Sequence, residues 1–237
     1  MSADHFSYEG RDLEAMSFAE NYHRWILDVF SPYIGKLVAE VGAGSGNFSS
    51  LLLEKDIDKL IAIEPSDEMY PLLRKKLAAE GRAVPRQGFF VDVAKEYEGS
   101  LDTILYVNVL EHIEDDAEEL RHAYRALKVG GYVCVFVPAF PFLYSELDAS
   151  IGHFRRYTKR STVEPTRKAG FEIEKVSYFD IAGILPWYVY FTLLKKHIAS
   201  ENVRVYDSLV VPIMRRIESV IPVPIGKNVL LVGKKVR

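Results

Sequence analysis

The chain lacks the features that mark secreted, disulfide-linked and membrane-spanning proteins. Its 237 residues include a single cysteine, Cys134, so no disulfide can form within the chain. Cys134 lies inside an apolar run, where a buried and unreactive thiol is expected. The amino-terminal residues are polar and acidic and do not follow the pattern of a signal peptide. We therefore expect a cytoplasmic protein.

The chain also has no excess charge of one sign and no apolar run of membrane-spanning length. The apolar stretch at residues 181–194 contains Gly183 and Pro186 and is shorter than the roughly 20 residues that a transmembrane helix needs. The formal net charge of -3 gives no electrostatic reason to expect a nucleic-acid partner. With 49% hydrophobic residues and no internal repeat, the chain can bury the core of one domain.

Strand patterns and helical patterns alternate along the chain, which predicts a parallel sheet with right-handed crossovers. The predicted strands are residues 37–41, 59–63, 88–91, 101–107 and 132–137, followed by 171–178 and 228–232. The predicted helices are residues 13–30, 48–55, 68–80 and 116–127, with further helical patterns at 181–194 and 206–220. The first helix is expected to lie ahead of the sheet.

The junction after the first predicted strand carries most of the functional information. Gly42, Gly44 and Gly46 follow the strand at alternate positions, and a helical pattern begins directly after them. Residues without a Cβ let a ligand approach the backbone, and the start of a helix presents free N–H groups. The spacing differs from the G-x-G-x-x-G pattern of dinucleotide sites, and Glu40 would repel a pyrophosphate. Glu40 instead favours a cationic ligand group, such as the ammonium of an amino acid.

Acids also follow the second and third predicted strands. Glu64 ends the second strand, where a carboxylate can accept hydrogen bonds from both hydroxyls of a ribose. The alternative is that Glu64 is a solvated acid that caps a helix near Asp67. Asp92 follows the third strand pattern, a place where the amino group of an adenine could be recognised.

These residues together resemble the class I S-adenosylmethionine-dependent methyltransferases across nearly the full chain. The matching segments are residues 40–46, Glu64, Asp92 within residues 90–93, residues 108–112 and residues 127–131. The resemblance implies a Rossmann-like α/β fold with a seven-stranded sheet whose last strand is antiparallel. An amino-terminal helix precedes this sheet, and a helical insertion precedes the last strand.

The resemblance further implies S-adenosylmethionine as the cofactor and a contact for each matching position. The implied contacts are with the methionine part for Glu40, Gly42, Gly44, Gly46 and Asn108, with the ribose for Glu64, and with the adenine for Asp92 and Val93. No carboxylates from several loops converge in the sequence pattern, so we expect no metal ion.

We expect one methyltransferase domain built from four consecutive parts. These are a helical cover at residues 1–35, a cofactor-binding core at 36–180, a helical insertion at 181–226 and the last strand at 227–237. The insertion is interpreted as a lid or substrate wall. The aromatic and basic residues at 181–197 also suit peripheral contact with a membrane surface.

Two histidines are candidates for catalysis or for positioning the acceptor. His112 follows the fourth strand, where a structural or cofactor-contacting role competes with a role as general base. His153 lies in a Leu-Asp-x3-Gly-His-x-Arg-Arg-Tyr loop at residues 147–157, which resembles a bacterial subgroup of these methyltransferases.

Four further residues are candidates for contact with the acceptor: Tyr22, Arg155, Arg156 and Tyr157. The arginines would suit a phosphate or carboxylate on the acceptor. Alternatively, they pair with Glu146 or Asp148 and only fix the loop. Tyr22 belongs to an aromatic stripe of the first helix, which either walls the cofactor or belongs to the core.

The sequence therefore predicts methyl transfer from S-adenosylmethionine to a small-molecule or lipid-like acceptor by in-line displacement. No Asn/Asp-Pro-Pro-Tyr element follows the fourth strand, which argues against methylation of planar amide nitrogens in nucleobases or glutamine. An oxygen acceptor is the first choice and an amine nitrogen the second. The alternatives are an NAD(P)-dependent oxidoreductase and a non-catalytic module that binds an S-adenosyl ligand. The oligomeric state is left open.

Overall fold

The computed structural model describes residues 19–194, 200–221 and 223–237, which contain a seven-stranded sheet. The strands are β1 (Leu37–Val41), β2 (Lys59–Glu64), β3 (Ala83–Gln87), β4 (Leu101–Val107), β5 (Leu127–Pro138), β6 (Glu172–Phe179) and β7 (Asn228–Lys234). Their order across the sheet is β3-β2-β1-β4-β5-β7-β6. β7 runs antiparallel to both of its neighbours, whereas the other pairings are parallel. The predicted sheet with an antiparallel last strand is confirmed.

Helices connect the strands and cover the sheet. They are α1 (Glu20–Phe30), α2 (Asn47–Leu52), α3 (Met69–Lys76), α4 (Phe90–Ala94), α5 (Asp116–Ala126), α6 (Glu146–Ser150), α7 (Lys159–Lys168), α8 (Ile184–Trp187), α9 (Ser200–Val205) and α10 (Val211–Val220). Two π-helical segments, Tyr188–Leu193 and Tyr206–Val210, follow α8 and α9. Of the first predicted helix, residues 13–18 lie outside the described residues.

Both faces of the sheet are buried, which explains why the central strands are almost continuously apolar. Successive residues of β4 point to opposite faces. Leu105 packs with α1 and α2 on one face, and Ile104 packs with α5 on the other. Strands with such patterns were the easiest to predict, and the bounds of β1 and β4 are the predicted ones.

The third strand was predicted at the wrong place. The prediction put it at residues 88–91, whereas β3 is Ala83–Gln87 and α4 begins at Phe90. β3 is an edge strand and is only half buried, so it needs no apolar run. It also contains Pro85, which lacks an N–H group and is tolerated at a sheet edge but counts against a strand in a sequence pattern.

The segment between β6 and β7 contains α8, α9, α10 and both π-helical segments. Residues 195–199 and 222 of this predicted insertion, and thus part of the proposed membrane contact at 181–197, lie outside the described residues. Several apolar side chains are exposed here, including Leu185, Leu193 and Val220. Within the described ranges, no helix combines the length and the apolar character needed to cross a membrane.

Candidate active site

A cavity opens at the carboxyl edge of β1 and β4, which is where open α/β sheets bind ligands. Its lining comes from the turn after β1, the end of β4, the loops after β5, helix α1 and the start of β7. The residues used below are Tyr22, Glu40, Gly42, Gly44, Asn108, Glu111, His112, His153, Arg156, Trp187, Lys227 and Asn228. Elements far apart in the sequence therefore meet at one cavity.

The glycine turn, defined here as residues 42–46, links β1 to α2. Gly42, Gly44 and Gly46 all have positive φ angles, which favour glycine. A Cβ at Gly42 would lie 2.5 Å from Cγ2 of Val109, so the backbone packs closely against the chain that follows β4. A Cβ on Gly44 would meet no atom within 4 Å, because this residue borders the cavity. The turn thus leaves space for a ligand against its backbone.

Glu64 fixes the glycine turn to the end of β2. One carboxylate oxygen accepts a hydrogen bond from the Gly44 N–H at 2.7 Å, and the other accepts one from the Ser66 N–H at 2.8 Å. Burial raises the pKa of Glu64 although both hydrogen bonds favour the charged form. Among the described residues, Glu64 is not part of the cavity lining. Its observed role is to hold the turn, and a ribose contact remains a prediction.

Glu40 lies near the end of β1, just before the glycine turn, and lines the cavity. The hydroxyl of Ser49, on α2, donates a hydrogen bond to its carboxyl group. Burial raises the pKa of Glu40 to about 8. A buried acid of this kind is stabilised in its charged form by a cationic ligand group.

Asp92 and Val93 do not follow a strand as predicted, because they lie on α4. The Asp92 side chain is exposed and that of Val93 is buried, and neither residue is among the described lining residues of the cavity. Asn108 does line the cavity. Its φ angle is 55°, and its N–H donates to the carbonyl of Phe136 at 2.8 Å, which fixes the end of β4 against β5.

The cavity also borders a group of buried and half-buried ionisable side chains, which we call the charge cluster: Glu111, His112, Asp148, His153 and Arg156. Asp148 is its centre, because it accepts hydrogen bonds from Arg156 Nε at 2.9 Å and from the hydroxyl of Ser145 at 2.8 Å. Nδ1 of His153 lies 2.8 Å from the same carboxylate. Burial opposes the charged form of Asp148, but the partners His153 and Arg156 hold its pKa at about 2.

Glu111 is the least satisfied member of the charge cluster. It is fully buried, and neither carboxyl oxygen has a hydrogen-bond partner from another residue in the described part of the chain. Nε2 of His153 lies 3.9 Å from Oε1 of Glu111. Burial raises the pKa of Glu111 to about 8.

His112 lies next to His153, with the two rings edge to face and their centroids 4.5 Å apart. Burial and the neighbouring His153 lower the pKa of His112 to about 3, although hydrogen bonds to the backbone of Gly152 and Ile151 act in the opposite direction. The His112 imidazole is therefore neutral near pH 7 and can use a ring nitrogen as an acceptor or ligand.

The structure places Arg155, Arg156 and Tyr157, the candidate acceptor contacts of the loop, in three different surroundings. Arg156 forms the buried pair with Asp148, and its guanidinium lies 4.5 Å from the centroid of the Trp187 ring. Arg155 turns away to the carbonyl of Glu114 at 2.6 Å. The Tyr157 hydroxyl donates to the carbonyl of Leu110 at 3.0 Å. Of the three, only Arg156 is among the described lining residues, because the other two fix the loop.

Tyr22, from the aromatic stripe of α1, belongs both to the core and to the wall of the cavity. It packs edge to face against Phe136 and Phe179 in the core, and it also lines the cavity. Its hydroxyl donates to Asn228 Oδ1 at 2.9 Å, which connects α1 to the start of β7.

Sequence reasoning missed three lining residues that come from distant parts of the chain: Trp187, Lys227 and Asn228. Lys227 Nζ lies 3.2 Å from the buried carboxylate of Asp180 and 4.8 Å from the centroid of the Tyr22 ring. Trp187 donates from its indole to the carbonyl of Leu143 at 3.3 Å, so α8 covers one side of the cavity. No local sequence pattern marks Lys227 or Asn228, whereas Trp187 belongs to the insertion interpreted above as a lid or substrate wall.

Residues 18–176 match the profile of a protein family described as "Methyltransferase domain". The chain belongs to this methyltransferase family. S-adenosylmethionine is the methyl donor of the family, and the open space over Gly44 fits a ligand that approaches the backbone of the turn. The subgroup suggested by the loop at residues 147–157 remains a prediction.

Two curated relatives of this methyltransferase are named for the methylation of a hydroquinone and for ubiquinone biosynthesis. It is 28% identical to 2-methyl-6-phytyl-1,4-hydroquinone methyltransferase 1 of Oryza sativa, over 73% of this chain and 48% of the relative. It is 25% identical to the ubiquinone biosynthesis O-methyltransferase of Pseudomonas aeruginosa, over 64% of this chain and 71% of the relative. The alignment thus spans about half of the rice protein.

A solved structure shares the fold of this methyltransferase. The SAM-dependent methyltransferase from Archaeoglobus fulgidus superposes with a TM-score of 0.64 at 19% identity, over 94% of this chain and 98% of that one. At this identity the likeness concerns the fold alone.

Proposed function

We propose that the chain transfers a methyl group from S-adenosylmethionine to an oxygen of a small or lipid-like acceptor. The observation that carries this proposal is that the glycine turn and the charge cluster border one and the same cavity. One side offers backbone groups and space for a cofactor. The other side offers two imidazoles and a carboxyl group at the place where an acceptor would have to enter.

The cofactor side would hold the methyl donor through the residues that the sequence indicated. The turn residues Gly42, Gly44 and Gly46 and the adjacent Asn108 would contact the methionine part, with Glu40 near its ammonium group. Glu64 would bind the ribose while it holds the turn, since a carboxylate oxygen can accept more than one hydrogen bond. Asp92 and Val93 would reach the adenine only from α4, so their assignment has the weakest support.

Bound S-adenosylmethionine supplies an electrophilic methyl group. On transfer, the bond from carbon to sulfur breaks, a bond from carbon to the acceptor oxygen forms, and the hydroxyl proton must leave. The protein's part is alignment, which can contribute up to about 7–11 kcal/mol, and removal of that proton. We assign acceptor positioning and proton removal to the pair His112 and His153, with Asp148 fixing the orientation of His153.

The acceptor is proposed to have apolar bulk. Tyr22, Phe136 and Trp187 give the cavity apolar walls. One relative is named for a phytyl-bearing hydroquinone and the other for ubiquinone biosynthesis. Oxygen is preferred to amine nitrogen because one of these relatives is named as an O-methyltransferase.

The helical insertion at residues 181–226 is proposed to act as a lid on the single domain. Trp187 supports this role because it contacts Arg156 and lines the cavity. Peripheral membrane contact through residues 181–197 is a further proposal, supported by the exposed side chains of Leu185, Leu193 and Leu194. Both roles would bring an apolar acceptor close to the cavity.

Methyl transfer from labelled S-adenosylmethionine to a panel of phenols, quinols with isoprenoid tails, and primary amines tests the proposal. We expect labelled product with the hydroxyl-bearing compounds and tight binding of S-adenosylhomocysteine. Labelled amines without labelled ethers would shift the acceptor to nitrogen. Affinity for S-adenosylhomocysteine without turnover on any acceptor would favour the non-catalytic module. Stabilisation by NADH but not by S-adenosylhomocysteine would favour the oxidoreductase.

A further inference from the structure

Three side chains of the charge cluster converge on one small volume beside the cavity. Glu111, His112 and His153 each offer one ligand atom, and these three atoms all lie within 4.8 Å of one another. All three residues line the cavity. The set comes from the turn after β4 and from the loop after α6, so the fold brings it together and no local motif does.

We infer that Glu111, His112 and His153 bind a divalent metal ion on the acceptor side of the cavity. Two imidazoles and one carboxylate are a ligand set that suits ions such as Mn²⁺, Co²⁺ and Zn²⁺. This inference replaces the sequence-based expectation that the chain binds no metal. That the three residues bind an ion is argued from the geometry alone. The role of the ion in methyl transfer rests on the proposed function.

The first supporting observation is the unsatisfied carboxyl group of Glu111. A fully buried carboxylate without hydrogen-bond partners is costly unless a positive charge compensates it. The nearest permanent positive charge in the cluster is that of Arg156, whose Nε and Nη2 are already engaged by Asp148. The charge cluster thus holds two carboxyl groups, Glu111 and Asp148, but only one guanidinium, which Asp148 engages. A bound divalent ion would remove this imbalance.

The second supporting observation is the arrangement around His153. Its Nδ1 lies 2.8 Å from Asp148, which fixes the ring and directs Nε2 towards Glu111. Metal-binding histidines usually donate their other ring N–H to a carboxylate or carbonyl in this way. Asp148 is itself held by Arg156 and Ser145, so it can keep the ring in place. These contacts would hold the His153 ring in a fixed orientation before a metal ion binds.

Three protein ligands leave coordination positions open, as in catalytic metal sites. An acceptor hydroxyl could fill one of them, and a cation lowers the pKa of an oxygen bound to it. The hydroxyl proton would then pass to solvent water, the oxygen would bond to the methyl carbon, and the bond from carbon to sulfur would break. Of the two roles proposed above for His112 and His153, this arrangement would keep the positioning of the acceptor, now through the ion, and would replace proton removal by the histidines with proton loss to solvent.

Metal binding can be measured on the chelator-treated full chain, before any assay of activity. We expect one equivalent of Co²⁺ to produce a visible absorption band, and calorimetry with Mn²⁺ to show one site. The variants Glu111→Gln and His153→Gln should each weaken binding by at least about tenfold. His122→Gln is the matched control, since His122 on α5 also contacts a glutamate, Glu118, at 3.3 Å but lies outside the cavity. It should bind the ion like the parent chain.

The same samples separate the two proposals. S-adenosylhomocysteine should bind to the parent chain and to both variants with similar affinity. If the parent chain binds S-adenosylhomocysteine but none of Mn²⁺, Co²⁺ and Zn²⁺, the metal site is refuted and the proposed function stands. Unchanged metal binding in folded Glu111→Gln and His153→Gln would also refute the site. If S-adenosylhomocysteine does not bind, the methyltransferase function fails, whatever the metal result.

Discussion

The two sides of the cavity are built in opposite ways. The glycine side, residues 42–46 with Glu64, offers mainly backbone groups, and both oxygens of its buried acid are hydrogen-bonded. The charge cluster offers side chains from separate segments, and its Glu111 lacks partners from other residues in the described chain. The difference indicates a division of labour. A satisfied, close-packed turn suits binding of an invariant cofactor, and an unbalanced cluster suits a group that arrives with the acceptor or as an ion.

Breaking the buried pair at the centre of the charge cluster should have the largest effect on stability. In Arg156→Met, the Asp148 carboxylate loses its bidentate partner inside the protein. Removal of one member of a buried pair costs about 3–5 kcal/mol of unfolding free energy. Urea unfolding would measure the loss. Arg24→Met is the control, because the exposed pair of Arg24 with Glu54 should contribute less than about 1 kcal/mol. Equal losses in both variants would contradict the contrast drawn here.

A buried acid outside the cavity, Glu119, allows a comparison with Glu111, because Glu119 has a hydrogen-bond partner and Glu111 has none from another described residue. Glu119 on α5 accepts a hydrogen bond from the Tyr106 hydroxyl at 3.0 Å, and burial raises its pKa to about 7. Its raised pKa means that its stabilising contribution is present below pH 4.5 and is lost as the pH rises through 7. The loss is on the order of 3 kcal/mol.

Unfolding free energies at pH 5 and pH 8 would measure this effect. Glu119→Gln should have a flatter pH dependence than the parent chain, and Glu68→Gln, which changes an exposed side chain, should not. Parallel pH profiles for the parent chain and Glu119→Gln would show that Glu119 does not titrate as described.

The close packing of the glycine side can be tested at Gly42. In Gly42→Ala, the new Cβ would lie 2.5 Å from Val109 in a backbone conformation that disfavours alanine. We expect a loss of about 1–3 kcal/mol in stability and weaker binding of S-adenosylhomocysteine. Gly99→Ala is the control, because Gly99 has a similar φ of 65° but open space around it. Calorimetric affinities equal to that of the parent chain in both variants would argue against the turn as the cofactor site.

The smallest expected effect concerns Glu64. Glu64→Ala should weaken S-adenosylhomocysteine binding by a factor of about ten or more if the carboxylate also binds the ribose. The matched control Glu68→Ala should bind normally, since this neighbouring side chain is exposed. Calorimetry would measure both. An unchanged affinity in Glu64→Ala would leave Glu64 as a support for the Gly44 backbone only.

The glycine side was predictable because its information is local. The apolar run of β1, the spaced glycines and the acid at the end of β2 lie within 30 residues of one another in sequence, roughly one strand-helix-strand unit. β3 was misplaced because an edge strand with Pro85 needs no apolar pattern. Asp92 was consequently placed after a strand when it lies on a helix.

The charge cluster was only partly predictable. The sequence marked His112, His153 and Arg156 as candidates, and it left open whether the arginines pair with Asp148. The pairing depends on how α6 and the following loop fold back onto the turn after β4. The missing partners of Glu111 depend on the same packing. No pattern along the chain reveals whether a buried acid is satisfied.

The position of β7 has a consequence for how the protein is made. β7 lies between β5 and β6, and Asn228 at its start meets Tyr22 of α1. During synthesis on the ribosome, β1 to β4 can pair early, whereas β6 has no neighbour in the sheet until the last strand emerges. The nascent chain therefore completes this wall of the cavity only after residues 228–234 have been made.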